Sequence, residues 1–329
     1  MRSSGKLWLR MLQTVLSFSL LFYLIRFIDW ETVHGLFESG VVFSLWPGPV
    51  VLLVGVVLAA TRWYSILEFL GITIRRSDAL RFYLAGNFYG VMLPGVLGGD
   101  LVRVALTRLE TDRGTAAVAA SVAIERSFGL WSIALIGTLG AITLSPPLKE
   151  ELGRAVLFLS PIIAVGVPLA AYASLHGAGW VGGLRSERGY VARLVLFVQK
   201  IAAIARSFPP RLTSMTLLLS IAFQGAEIFI FYYFGSVLGI QVPFTFYLFV
   251  VPIVYLSTLV PISLGGVGVR EGVLVWFFAM IGIAAGDAVL LAFLIYLNRV
   301  VVAVIGGCTH FFKALIHRNA TLPQEDISK

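Results

Sequence analysis

A single cysteine, Cys308, stands in 329 residues. That excludes an internal disulfide and any cysteine-rich metal site. Histidine is equally sparse: His34, His176, His310 and His317 lie far apart or at spacings that no metal motif uses. No metal and no other cofactor is expected. Charged residues make up 13% of the chain against 58% hydrophobic ones, with a mean hydropathy of +0.92, which excludes a soluble domain. No Gly-x-x-x-x-Gly-Lys motif is present and no catalytic motif is recognisable. The chain is expected not to be an enzyme, and energy for any transport must come from a gradient, a partner or the substrate itself.

The formal net charge of +8 raises the question of nucleic acid. Most basic residues fall in loops on one predicted side, so the bias of cytoplasmic loops towards Lys and Arg absorbs the excess. The aromatics follow apolar runs instead of alternating with basic residues as stacking platforms do. No nucleic-acid partner is expected.

What the chain does have is a short pattern that occurs twice. Pro94-Gly95-Val96-Leu97-Gly98-Gly99-Asp100-Leu101-Val102-Arg103 is matched by Pro261-Ile262-Ser263-Leu264-Gly265-Gly266-Val267-Gly268-Val269-Arg270-Glu271. In both, Gly-Gly follows the proline by four residues and an arginine follows it by nine. Helix breaks with charge at corresponding points of two halves are the mark of a transporter built from an internal repeat.

Hydropathy gives spans at 8–28, 47–68, 115–144, 155–175, 212–237 and 287–312, each near the ~20 residues needed to cross a bilayer. The N-terminus carries Arg2, Lys6 and Arg10 before an apolar run, and no small-x-small cleavage site follows, so it reads as an uncleaved first membrane helix. Segments 79–112 and 243–284 are interrupted by the repeated motif. Non-helical backbone at membrane depth is tolerated only where protein or a cavity shelters it, so both read as re-entrant hairpins. Their tips are Pro94, Gly95, Gly98 and Gly99 in one and Pro261, Gly265 and Gly266 in the other. Two complete spans with glycine kinks remain the alternative for each.

Loop charge then sets direction. Arg75, Arg76 and Arg81, the basic stretch 176–211, and Lys313 with Arg318 share one side if both hairpins return to the side they enter from. Both termini are then cytoplasmic, in the plasma membrane, and the 145–154 loop is external. The expected fold is an all-α polytopic membrane protein with an inverted-topology repeat. Residues 1–175 hold the first repeat and the start of the second, and 176–211 a basic amphipathic linker. Residues 212–318 complete the second repeat, and 319–329 form a tail. The pseudo-two-fold axis would bring both motifs to mid-membrane.

Charges inside apolar spans mark the candidate site. Glu125, Arg126, Glu227, Asn298 and Arg299 lie near span centres, where a charge costs roughly 2.5–3.5 kcal/mol on insertion scales. With Asp100, Arg103, Arg270 and Glu271 at the hairpin tips, they make one expected polar cavity, with Arg103 and Asp100 at its cytoplasmic mouth. The basic members are all arginine, whose planar fork binds phosphate at two points. The balance of signs suits a zwitterionic or sugar-bearing head group, although the charges pairing only with one another is the plainer reading. Gln224 lines the path or satisfies a neighbouring helix. Arg62 and Glu68 read as snorkelling from the inner end of their span. Trp8, Trp30, Trp46 and Trp63 read as an interfacial aromatic belt. Ala116, Ala117, Ala119, Ala120 and Ser121 form a small face for helix packing.

Asn87, Leu93-Pro94-Gly95, Gly98-Gly99-Asp100, Arg103, Glu125-Arg126 and Pro261 through Glu271 together resemble the flippase-like family typified by the transmembrane region of lysylphosphatidylglycerol synthase. The likeness runs over essentially the whole chain. Val96-Leu97 departs mildly, where that family often has a further small residue. The resemblance implies movement of a lipid or lipid-linked head group between leaflets. The substrate is then a phospholipid or a polyprenyl-phosphate-linked sugar, and a second copy of the chain is an admissible partner. Synthase members carry a soluble transferase domain after the membrane region. This chain ends within about 20 residues of its last span, so synthase chemistry is not implied. A lipid-dependent glycosyltransferase and an ion-coupled small-solute transporter are the competing functions.

Overall fold

Prolines and glycines punctuate this chain, and the helices lie between them. The computed structural model describes residue 34 and residues 41–92, 98–161, 203–204, 207–258 and 268–320. The first expected span (8–28), most of 155–175 and of the linker, and the tips at Pro94, Gly95, Pro261, Gly265 and Gly266 lie outside the described residues. Everything described is helix, turn or loop, with no strand among the described residues.

A 3-10 turn over Val41–Leu45 leads into α1, Pro47–Phe69, which opens with proline where no helical N–H donor is needed. Helices α2 (Arg76–Met92) and α3 (Gly98–Leu109) flank the first motif. Next come α4 (Thr115–Thr143) and α5 (Pro146–Pro161), the latter broken at Gly153, where φ is +39°. The second half brings α6 (Pro210–Val237), α7 (Phe244–Ser257), α8 (Val269–Met280) and α9 (Ala285–Ala320). The stretch 145–154, expected as a loop, is therefore mostly helical, starting at the Pro146-Pro147 pair that suits a first turn.

Among the described residues, four helices are long and apolar enough to cross a membrane: Phe43–Phe69, Thr115–Thr143, Pro210–Val237 and Ala285–Phe311. Their outer faces are apolar. Val50, Val54 and Val57 on α1, Leu135, Leu139 and Ile142 on α4, and Phe293, Leu297 and Val304 on α9 are all exposed at helical spacing. Stripes of that size are unsuited to water and suited to acyl chains. By contrast α7 is apolar all round and enclosed, with Phe246, Tyr247, Phe249, Val250, Val251 and Val254 fully buried.

The packing has a regularity. Helices α1 and α6 pack on each other, α2 packs on α9, and α4 packs on α7. The pairs α2–α3 and α7–α8, α3–α4 and α8–α9, α1–α2 and α6–α7, α1–α4 and α6–α9, and α1–α9 and α4–α6 are also in contact. Exchanging α1, α2, α3, α4 for α6, α7, α8, α9 maps the α1–α6 contact onto itself and each of the other contacts onto its partner among them.

Helices α2 and α3 come together through glycine. A Cβ at Gly99 would overlap the Gly86 carbonyl oxygen and lie 3.3 Å from the Gly90 Cα. Backbone cannot yield as a flexible side chain does, so Gly99→Val is expected to cost at least the ~1–3 kcal/mol of an overpacked core. Gly225→Ala on α6, where an added methyl meets nothing within 4 Å, is the control. Its melting midpoint in detergent should hold or rise while that of Gly99→Val falls.

Candidate functional site

A cavity of about 560 Å³ opens among α1, α2, α3, α4, α6, α7, α8 and α9. Arg62, Arg103, Arg126, Arg270 and Arg299 line it together with Asp100, Glu125 and Glu227, and no lysine among the described residues does. The rest of the lining mixes polar Asn87, Gln224 and Thr258 with apolar Leu52, Val56, Leu130, Ile133, Phe223 and Val302.

Glu125 is the hub of the first half. It sits mid-helix on α4, is 2% exposed, and accepts from three side chains on three other helices. Arg62 Nη2 on α1 donates to Oε1 at 2.5 Å, Tyr83 OH on α2 to the same oxygen at 3.0 Å, and Arg103 Nη2 on α3 to Oε2 at 2.7 Å. A buried carboxylate held this way is charged and fully partnered. Arg62 also reaches across to α6, where Nη1 donates to Ser220 Oγ at 2.7 Å. Arg103 lies against two aromatic rings, its guanidinium carbon 4.4 Å from the Tyr83 centroid and 4.7 Å from that of Trp63. Trp63 is held in turn by its indole N–H donating to Ser121 Oγ at 3.0 Å.

The second half repeats this brace with its signs exchanged. Glu227 on α6 accepts from Arg299 Nη2 on α9 at 2.5 Å and, through a short hydrogen bond, from Tyr255 OH on α7. Arg299 Nη2 also donates to Tyr255 OH at 2.6 Å, and its guanidinium lies over the Tyr255 ring at 5.1 Å. The corresponding helices α1 and α4 carry arginine and then glutamate, whereas α6 and α9 carry glutamate and then arginine.

Two arginines are held more loosely. Arg126 Nε donates to Asp100 Oδ2 at 2.8 Å, and its side chain is 55% exposed. Arg270 pairs with its neighbour Glu271, Nη2 to Oε1 at 2.5 Å. The other carboxylate oxygen of Glu271 accepts from the Gly268 backbone N–H at 2.7 Å. Glu271 thereby caps α8 and seats the arginine in one gesture, and it does not itself line the cavity. Gly268 has φ +84°, a conformation that glycine adopts without strain.

The residues expected at the site are thus placed as follows. Asp100, Arg103, Glu125, Arg126, Glu227, Arg270 and Arg299 line one cavity, as does Gln224. Glu271 stands behind Arg270. Asn298 is buried in a small recess beside Glu227 and Arg299, its Oδ1 without a hydrogen-bond partner among the described residues. Arg103 and Asp100, expected at the cytoplasmic mouth, are buried, and Arg126 is the exposed member. Arg103 is drawn inward by Glu125 and its two rings.

Arg62 does not snorkel. It is 4% exposed and bound to Glu125, because it lies about two helical turns inside the α1 terminus on the face turned to α4 and α6. Trp63 is fully buried against Arg103, whereas Trp46, at the start of α1, is exposed. Tyr83 and Tyr255, which sequence reasoning passed over, complete the two braces.

Four apolar spans around an arginine-lined cavity define a multi-pass helical membrane protein. The family described as the lysylphosphatidylglycerol synthase TM region matches residues 10–307, and the chain belongs to that family. No curated protein and no solved structure matches the chain.

Proposed function

We propose that the chain moves a phospholipid, or a lipid-linked head group, between leaflets through this cavity. The observation that carries the reading is the lining: among the described residues, five arginines and no lysine inside a bundle whose outer faces are apolar. Arginine forks suit phosphate oxygens. A volume of about 560 Å³ holds a head group while the tails stay in lipid. Membership of the family points towards lipid chemistry or transport, and the reading requires no bond to be made or broken.

In this reading the halves are inverted copies, and α2–α3 and α7–α8 are re-entrant hairpins. Two things support it. Helices of 17, 12, 14 and 12 residues reach at most ~25 Å at 1.5 Å per residue, short of the ~30 Å hydrocarbon core. The contacts also exchange under interchange of the halves. The basic segment 176–211 and both termini then face the cytoplasm at the plasma membrane.

The experiment is reconstitution of the purified protein into vesicles carrying fluorescent lipids with a panel of head groups. Exchange of at least one phosphate-bearing lipid well above protein-free vesicles is expected. Failure with the whole panel, together with uptake of soluble phosphate, would replace the reading with a solute transporter.

A further inference from the structure

Helices α4 and α9, which exchange in the contact pattern, hold their arginines differently. Arg299 is locked on Glu227 and Tyr255. Arg126, on the corresponding helix α4, has Asp100 as its ion-pair partner, and both Nε and Nη2 point at the same Oδ2. Asp100 keeps Arg103 at 3.3 Å if Arg126 swings away, so releasing Arg126 strands no carboxylate.

Three residues on, and so on the same helical face, Gly129 also lines the cavity. A methyl group built there meets nothing within 4 Å. The residue at that offset after Arg299 is Val302, which is 1% exposed. The first half therefore has an open notch beside a releasable arginine, and the second half has a filled one beside a fixed arginine. The wall that continues from the notch is apolar, through Leu130 and Ile133.

We infer that Arg126 and the notch at Gly129 form a subsite for a phosphate ester with an apolar body, the phosphate replacing Asp100 on the Arg126 fork and the body lying along the notch. This rests on the proposed lipid path. It adds that the ligand is recognised as an amphiphilic phosphate ester, and by one half of the repeat.

The test uses the full chain in detergent with two probes, inorganic phosphate and hexyl phosphate, read by titration calorimetry, alongside lipid exchange in vesicles. Hexyl phosphate should bind about tenfold tighter than inorganic phosphate. Gly129→Leu should erase that advantage, leaving inorganic phosphate binding and the melting midpoint unchanged, and Arg126→Gln should weaken both probes. If the Leu variant fails to fold, Gly129→Ala, whose methyl has free space, should show a partial loss of the same selectivity. Equal affinity for both probes in the wild type, or hexyl phosphate binding untouched by substitution at Gly129, overturns the inference. Normal lipid exchange alongside either of those results leaves the lipid path standing. Hexyl phosphate selectivity without exchange of any lipid upholds the subsite and removes the path.

Discussion

Glu125→Ala should lose about 3–5 kcal/mol of stability, the cost of leaving buried charge unpaired. The residue accepts from Arg62, Arg103 and Tyr83 on three different helices. Its removal strands two guanidiniums, each at most 4% exposed. Asp100 answers part of Arg103, at 3.3 Å, and Ser220 part of Arg62. Neither supplies the missing charge at the centre. The measurement is the melting midpoint in detergent, followed by tryptophan fluorescence, with Glu125→Asp as a partial rescue. A variant that melts with the wild type would show that the cluster is not a brace.

The opposite outcome is expected for Arg126→Ala and Arg270→Ala: transport lost by about 100-fold or more, with melting close to wild type. Each arginine gives up one carboxylate neighbour when removed, and that neighbour has a second partner. Asp100 retains Arg103, and Glu271 retains the Gly268 N–H. The transport loss follows from charge-assisted bonds to phosphate, each worth roughly 1.5–3 kcal/mol, that alanine cannot make. Exchange per folded molecule and melting should be measured on the same preparation. Low melting with normal exchange would return both residues to a structural role.

The charged residues within apolar runs were legible because the cost of burying them makes each one conspicuous in sequence. Glu125, Arg126, Glu227 and Arg299 stand out for that reason. Arg62 and Trp63 did not, since a cation and an aromatic near a span terminus look like interfacial residues whichever way their face is turned. Only the packing of α1 against α4 and α6 decides it. Tyr83 and Tyr255 were invisible because a tyrosine in an apolar run shows no sign of what its hydroxyl will meet.

One signal was present and unread. Leu70-Gly71-Ile72 ends α1 and Leu238-Gly239-Ile240 ends α6, each with a left-handed glycine at φ +67° and +79°. In each, the isoleucine N–H returns to a carbonyl five residues back, Ile72 to Leu67 and Ile240 to Gly235, both at 2.9 Å. The offset between these copies is almost that between Pro94 and Pro261. Aligning the halves on it places Arg62 close to Glu227, and so would have drawn Arg62 into the cluster.

The exchange of signs between the two braces has an electrical consequence. In an inverted repeat with identical charges, each half's dipole along the membrane normal is the negative of the other's, and the sum vanishes. Here the first brace runs from Arg62 on α1 to Glu125 on α4, and the second from Glu227 on α6 to Arg299 on α9. Inverting the geometry and exchanging the charges restores the original direction. With the axis in the membrane plane, as proposed, the two dipoles add along the normal. The transmembrane voltage then acts on both halves in the same sense, and a rearrangement that tilts either brace does electrical work instead of cancelling it.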